Sequence, residues 1–322
     1  MISIYAIVVS VAISLAELAN RSTLIPMLGL SPYVVGGADI LNAITMVKYR
    51  DGVQRLQSLY DNPVIFPQIV CSLAAIAVSY LLPRSRRIGI PTKLSSLIAL
   101  ACFFILFSTT TTRSPIIVLS VCLAVYLCLR YIDFRNNRGY LMVLFAALFS
   151  IAGILAFSSD FLQIVEGRST QEISSTMSRD VQKQRGMEAL EKSPISGYGT
   201  GASLQIAGLQ VRKNVYTVDN FYLSALVDNG YIGLISFWIM AIAFITAGVK
   251  TTFSFSTDPE SKAEVAAMTA VIPPILVSLT VVSSMTLVSY MFLFAGGIVG
   301  LRGELMRSRS GARHNQQLSI SI

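Results

Sequence analysis

The sequence predicts an all-α fold: a polytopic membrane helix bundle of about eight or nine spans with one long loop. Apolar residues make up 53% of the 322-residue chain and charged residues only 13%, whereas soluble domains carry about a quarter. Apolar stretches long enough to cross a bilayer alternate with short loops that hold most of the Lys and Arg. Residues 141–157 are apolar on every face, which indicates helices rather than the alternating strands of a barrel.

The spans follow from these uncharged stretches. Residues 1–19 are predicted to be a first membrane helix rather than a signal peptide, because no basic residue precedes the apolar run. Residues 24–47 contain prolines, a Gly-Gly pair and Asp39, so they either span or form a broken, re-entrant element. The firmest spans are 63–82, 94–112, 114–129, 140–157, 231–249, 263–282 and 284–301.

Charge in the short loops predicts the orientation. Loops 83–93 and 130–139 and the tail 302–322 are rich in Arg, and all three fall on one side if the spans alternate. The positive-inside rule makes that side the cytoplasm. We therefore expect a bacterial inner (plasma) membrane protein with a cytoplasmic C-terminus and an outward-facing 158–230 loop. Residues 48–62, which carry three cations, do not fit this alternation.

Four regions follow from this topology. They are an N-terminal transmembrane bundle at 1–157, a periplasmic loop with catalytic-type motifs at 158–230, C-terminal transmembrane helices at 231–301 and a basic cytoplasmic tail at 302–322.

Several kinds of site are excluded or disfavoured. The net charge of +8 is explained by the inner loops, so nucleic acid is not an expected partner. The four cysteines lie within apolar spans and form no CxxC motif. The only histidine, His314, lies in the tail, so the body of the chain has no His-based metal site or general base. No metal or cofactor is expected.

The long loop begins with an amphipathic helix and a glycine-rich turn. Ile173, Met177, Val181 and Leu190 recur near helical spacing and predict a helix over 171–192. The run 193–201 contains Gly197, Gly199 and Gly201. Its backbone N–H groups could bind phosphate, or the run could be an ordinary glycine loop.

A second short helix is predicted at 220–229. Asp219 is well placed as its N-cap and Gly230 as its C-terminal stop. We expect this helix to lie at the outer membrane surface, next to an interfacial aromatic belt of Tyr222, Tyr231 and Trp238.

The order of these motifs resembles the O-antigen ligase/polymerase family over roughly residues 95–250. In that family an Arg precedes a Pro-x-x-Gly-x-Gly turn, and a (His or Asp)-Asn-x-x-Leu element and a Gly-x-x-Gly pair follow. A Ser-Arg pair also ends one membrane helix, and Thr112-Arg113 is similar to it. The matching residues are Arg179, Pro194, Gly197, Gly199, Asp219, Asn220, Leu223, Gly230 and Gly233.

The resemblance implies transfer of a polyprenyl-pyrophosphate-linked glycan to an acceptor hydroxyl at the outer face. It implies catalytic roles for Asp219 and Arg179. Arginine binds pyrophosphate well because it is always charged and bidentate. Substrate-binding candidates are Arg113, Arg185, Asn220, Gly197 and Gly199. The structural alternatives are snorkelling of Arg113, solvated loop arginines and helix capping by Asp219.

Ligases of this family carry His where this chain has Asp219, which favours a polymerase of O-antigen, capsule or exopolysaccharide over a ligase. Expected partners are membrane lipid, the lipid-linked glycan, a chain-length regulator and a flippase. Two other classes stay open. A flippase would use intramembrane acids such as Glu17 and Asp39. A non-catalytic scaffold would not need the arginines.

Overall fold

A computed structural model describes most of the C-terminal half of the protein and separate segments of the N-terminal half. The described residues are 2–20, 23, 48–50, 53–55, 65–81, 93–101, 114–131, 170–212, 215–254, 259–280 and 282–320.

Helices dominate these residues. They are α1 (Ile2–Asn20), α2 (Ile65–Leu81), α3 (Ser114–Tyr131), α4 (Thr170–Lys192), α5 (Ala202–Ile206), α6 (Phe221–Ser254), α7 (Pro259–Ser278) and α8 (Met285–Ile320), and residues 93–101 are also helical. Two antiparallel hairpins pair β1 (Lys48–Arg50) with β2 (Val53–Arg55) and β3 (Leu209–Arg212) with β4 (Val215–Thr217).

Membrane-spanning character is clearest in the C-terminal helices. Within the described residues, three helical stretches are long and apolar enough to cross a bilayer: Phe221–Ser254, Ser261–Ser278 and Met285–Glu304. Val8–Asn20, Ile65–Val78 and Val118–Arg130 are shorter apolar helices. The helical membrane character is thus confirmed. The predicted elements 24–47 and 140–157 lie outside the described residues, so the count of eight or nine spans stays a prediction.

Helix α7 lies at the centre of the bundle and packs against α2, α3, α6 and α8. Most of its residues from Ala263 to Ser278 are buried, and many are Ala or β-branched. Gly248 of α6 faces Thr269 of α7 so closely that a Cβ at position 248 would overlap the threonine side chain. Small residues therefore set the close approach of α6 to α7.

Helix α6 is two helices joined at Gly230, which has φ 62° and ψ −166°. In an unbroken helix the sixteen-residue step from Tyr222 to Trp238 would cover about 24 Å. Their rings instead stack with centroids 5.4 Å apart and planes 8° apart. Residues 221–229 must therefore fold back along 231–254. Gly230 ends the short helix as the sequence predicts.

Two hydrogen bonds tie the start of α6 to the end of α7. The N–H of Phe221 donates to the C=O of Leu279 at 3.0 Å, and the Tyr222 hydroxyl donates to the C=O of Leu276 at 2.7 Å. The end of α7 therefore lies beside the start of α6. We call this side of the bundle the loop end.

Residues 170–229 form a small folded body, here called the loop unit. Its core consists of Ala207, Val218, Leu223 and Val227, with Ile206 against it. Helix α4 packs on this core through Gly186, where a Cβ would overlap the side chain of Leu223.

The predicted apolar stripe of α4 is mostly wrong. Met177 and Val181 are exposed, and only Leu190 of the described members is buried; the side chain of Ile173 lies outside the described residues. The face that packs inward consists of Gln182, Gly186, Ala189 and Leu190. Small side chains let a helix approach its neighbour closely. The face of α4 that carries them is therefore the buried one, although larger apolar side chains lie elsewhere on the helix.

Two other regions differ from a simple reading of the sequence. Helix α8 continues without a break through Arg302 to Ile320, and the assignment of 302–322 to a cytoplasmic tail stays a prediction. The misfit residues 48–62 contain the first hairpin, in which Lys48 is paired with Arg55 and Arg50 with Val53.

Candidate active site

The loop unit brings Arg179 of α4 next to Asp219, forty positions further along the sequence. The guanidinium Nε of Arg179 lies 4.0 Å from Oδ2 of Asp219. Both side chains are open to solvent, with 51% and 38% of their surface exposed. The two catalytic candidates of the sequence are therefore neighbours at a surface that a substrate can reach.

Asn220 caps the helix that follows. Its Oδ1 accepts a hydrogen bond from the N–H of Leu223 at 3.1 Å, which is the N-cap arrangement. The prediction that Asp219 caps this helix is wrong, because helix α6 begins at Phe221 and its cap is therefore one residue further on. Asn220 is the N-cap residue of α6, and the carboxylate of Asp219 lies next to Arg179 instead.

Gln182 holds the segment that carries Asp219. Its side chain is 2% exposed. Its Nε2 donates to the C=O of Thr217 at 3.2 Å, and its Oε1 accepts from the N–H of Asp219 at 3.0 Å. Sequence reasoning missed this residue. The available signal was its position three residues after Arg179, one turn along the same helix.

The glycine-rich turn docks on the break in α6. Tyr198 and Gly199 donate their N–H groups to the C=O groups of Val227 and Asp228, at 3.0 and 2.8 Å. In return, Tyr231 and Ile232 donate to Pro194 and Ile195. The two glycine motifs of the sequence are thus two halves of one backbone contact.

Asp228 occupies the position that an anion would take at this turn. Its carboxylate is nearly buried and accepts hydrogen bonds from the N–H groups of Gly201 and Ser203. The N–H of Gly197 donates to Ser193. The N–H groups of Gly197, Gly199 and Gly201 therefore bond within the chain, and phosphate binding by Gly197 and Gly199 stays a prediction.

Two further arginine candidates are not part of this pair, and one of them lies outside the described residues. Arg185 is an exposed residue of α4, on the turn after Gln182. Arg113 lies outside the described residues, directly before the first residue of α3. Among the residues that the structure describes, no group of three or more His, Cys, Asp or Glu side chains is placed to hold a metal ion.

The fold and the site together define an integral membrane protein whose polar site lies on a folded loop at one end of a helix bundle. Residues 97–238 match the family model described as O-antigen ligase. Over this stretch the chain is similar to that family, and the resemblance to the O-antigen ligase/polymerase family is confirmed. No curated protein matches the sequence.

The matched stretch contains α3, the whole loop unit and the first part of α6 through Trp238. It therefore includes the Arg179–Asp219 pair and the interlocked glycines. The family implies membrane glycosyl transfer of the ligase or polymerase type, with a lipid-linked glycan as substrate.

Proposed function

We propose that this protein is a polysaccharide polymerase of the bacterial inner membrane. It joins polyprenyl-pyrophosphate-linked oligosaccharide repeat units at the outer face, in the assembly of O-antigen, capsule or exopolysaccharide. The pairing of Arg179 with Asp219 on the exposed side of the loop unit is the observation that supports it best. It supports the proposal because an arginine, a residue type that binds pyrophosphate, lies beside a carboxylate, a residue type that serves as a general base.

The reaction forms one glycosidic bond and breaks one sugar–phosphate bond. The acceptor hydroxyl oxygen attacks the anomeric carbon of the donor glycan, and its proton passes to the carboxylate of Asp219. The bond between that carbon and the pyrophosphate oxygen breaks, and the electron pair leaves with polyprenyl pyrophosphate. Arg179, with Arg113 and Arg185, stabilises the negative charge that develops on the leaving group. In this reaction the arginines supply the positive charge that stabilises the leaving group.

The distance between Arg179 and Asp219 suits an exchange of partners. At 4.0 Å the pair is at the outer limit of an ion pair, and both groups are solvated, so the contact is worth little. An incoming pyrophosphate carries more charge and offers bidentate geometry, and it therefore displaces Asp219 from Arg179. The released carboxylate is then open to the acceptor hydroxyl.

A ligase is the second candidate, because the matching family model is described as O-antigen ligase. A ligase would use the same donor and transfer the finished glycan to a lipid or protein acceptor. We favour the polymerase because this chain has Asp219 where ligases of the family carry His. A chain-length regulator and a flippase are the protein partners that a polymerase would need.

The proposal is tested by glycan chain length on gels, in a deletion strain complemented with wild type, Arg113→Ala, Arg179→Ala or Asp219→Asn. Lys183→Ala is the matched control, because Lys183 is an exposed cation on the same helix as Arg179. We expect single repeat units in place of long polymer with each of the first three variants, at normal protein level. The Lys183 variant should restore full-length polymer.

Each other result points to a different protein class. Normal chain length without attachment to the lipid core indicates a ligase. Donor that stays on the cytoplasmic face indicates a flippase. Full-length polymer from all variants, with loss of co-purifying envelope proteins when the loop unit is deleted, indicates a scaffold.

A further inference from the structure

The side-chain amide of Gln182 contacts the backbone on both sides of Val218. It donates to the C=O of Thr217 and accepts from the N–H of Asp219, with both distances between 3.0 and 3.2 Å. A carboxamide offers a donor and an acceptor on two atoms that are bonded to the same carbon. The two bonds therefore fix the direction of the chain as it leaves β4 and enters the Asp219 segment.

Burial makes this contact selective for one backbone position. Gln182 is 2% exposed and Val218 is 4% exposed, so no water replaces either bond cheaply. A buried donor or acceptor without a partner is costly, and the segment cannot slide by one residue without leaving two such groups.

Gln182 also fixes the distance between the two candidate catalytic groups. Arg179 and Gln182 are three residues apart on α4 and so lie on neighbouring turns of one helix face. Gln182 holds the backbone of Asp219, and Arg179 meets its carboxylate. One rigid helix therefore carries both the cation and the group that places its partner.

We propose that Gln182 is a positioning residue, which holds the Asp219 carboxylate at the reaction centre beside Arg179. This inference rests on the proposed function. Gln182 itself touches no substrate in this scheme and acts only through the backbone of Asp219.

The test compares Gln182→Met with Gln184→Met in purified protein reconstituted in lipid nanodiscs. Methionine keeps the length and volume of glutamine and removes both hydrogen bonds. Gln184 is the matched control, because it lies on the same helix but is exposed and bonds only the side chain of Glu188. The substrate is the lipid-linked repeat unit extracted from the deletion strain, which accumulates it.

We expect Gln182→Met to lower kcat about tenfold to a hundredfold and to leave KM nearly unchanged, because a displacement of about 1 Å costs this much. Gln184→Met should have the wild-type kcat. Asp219→Glu already displaces the carboxylate, so adding Gln182→Met to it should lower kcat less than about twofold, a clear departure from additivity.

Three results would overturn the inference. They are an unchanged kcat in Gln182→Met, an equal loss in the wild-type and Asp219→Glu backgrounds, and a Gln182→Met protein that does not accumulate or melts far below wild type. The last would make Gln182 a residue of the fold alone. The proposed function fails separately, if wild type makes no polymer or if Asp219→Asn is fully active.

Discussion

Two aspartates of the loop unit, nine positions apart, have opposite surroundings. Asp219 is 38% exposed and pairs with Arg179. Asp228 is 9% exposed and accepts N–H groups from Gly201 and Ser203. A carboxylate so enclosed by the chain's own donors is a structural anion, whereas one at the surface is available to a substrate. The same residue type therefore occurs in two different environments within one short segment.

Replacing Asp228 should unfold the loop unit rather than slow its chemistry. Asp228→Ala leaves the N–H groups of Gly201 and Ser203 without this acceptor, which costs about 2–3 kcal/mol. We expect a lower melting temperature and a lower protein level in the membrane, measured on a fluorescent fusion. Asp180→Ala removes an exposed acid of α4 and should melt like wild type. Equal melting of the two variants would contradict the structural role of Asp228.

At the scale of single residues, the sequence identifies which residue types matter but not which of two neighbours does which job. Asp219 and Asn220 are both good caps, and a shift of one residue in the start of α6 decides between them. Gln182 has no motif of its own, because its role depends on a backbone segment 35 positions further along. Contacts of this kind exist only after folding.

The interlocked glycines explain why the turn and the helix break occur together. A Cβ on Gly197 would lie 2.5 Å from the carbonyl oxygen of Asp228, and a Cβ on Gly230 would overlap the carbonyl of Ile195. Both residues also have positive φ, at 65° and 62°. Each glycine therefore meets two requirements, an unusual backbone conformation and a contact that leaves no room for a side chain.

This contact predicts that alanine substitutions at Gly197, Gly199 and Gly230 destabilise the protein by different amounts. Gly199 has a positive φ of 97°, and a Cβ there would contact no neighbouring atom. Gly199→Ala should therefore lower the free energy of unfolding by backbone strain alone, about 1–3 kcal/mol. Gly197→Ala and Gly230→Ala add a clash with backbone atoms and should cost more. Melting temperatures of the three purified variants provide the comparison. Similar values for all three would mean that the turn and the helix break separate readily.

Element boundaries were easier to predict than element faces. Gly230 ends the helix 221–229 as predicted, because glycine at a helix end is a local signal. The buried face of α4 was mispredicted, because Gly186 packs on Leu223 and Val227 and Gln182 is buried, whereas Met177 is exposed. Hydrophobic periodicity does not register a face made of small and amide side chains.

At the scale of the whole molecule, contacts between helices show which helix ends lie at the same end of the bundle. Phe221 at the start of α6 meets Leu279 after α7, whereas Lys262 near the start of α7 lies over Phe253 near the end of α6. The end of α2 belongs with this second group, because the hydroxyl of Tyr80 donates to Glu264 at 2.8 Å. The loop unit and the start of α7 therefore lie at opposite ends of the bundle.

This arrangement predicts which residues a membrane-impermeant maleimide reaches. Gln184→Cys should be labelled in intact cells, because the loop unit is expected outside. Arg302→Cys, on the exposed extension of α8, should be labelled only after permeabilisation. Wild type is the control for native thiols, since Cys71 and Cys122 are buried. Labelling of Arg302→Cys without permeabilisation would reverse the predicted orientation.

The class of fold was the part that the sequence predicted best. Uncharged apolar stretches indicate membrane helices whatever their neighbours are, and α2, α3, α7 and α8 begin within a few residues of their predicted spans. The extension of α8 to Ile320 was not predicted, because hydropathy marks where the membrane ends and not where the helix ends.

The backbone contact between Gly197 and Gly230 also limits how related proteins can be recombined. A chimera that exchanges acceptor specificity by swapping only the residues before Asp219 would join one parent's turn to the other's helix break. The turn and the helix break would then come from different proteins. Their contact is made by backbone atoms, so no change of side-chain conformation could relieve a poor fit. Splice points placed before α4 and after Ile232 would keep both halves from one parent, together with Gln182 and the Asp219 segment that it holds. Residues 170–232 thus keep both halves of this contact in one parent, whereas the bonds of Phe221 and Tyr222 to the end of α7 would still join the two parents.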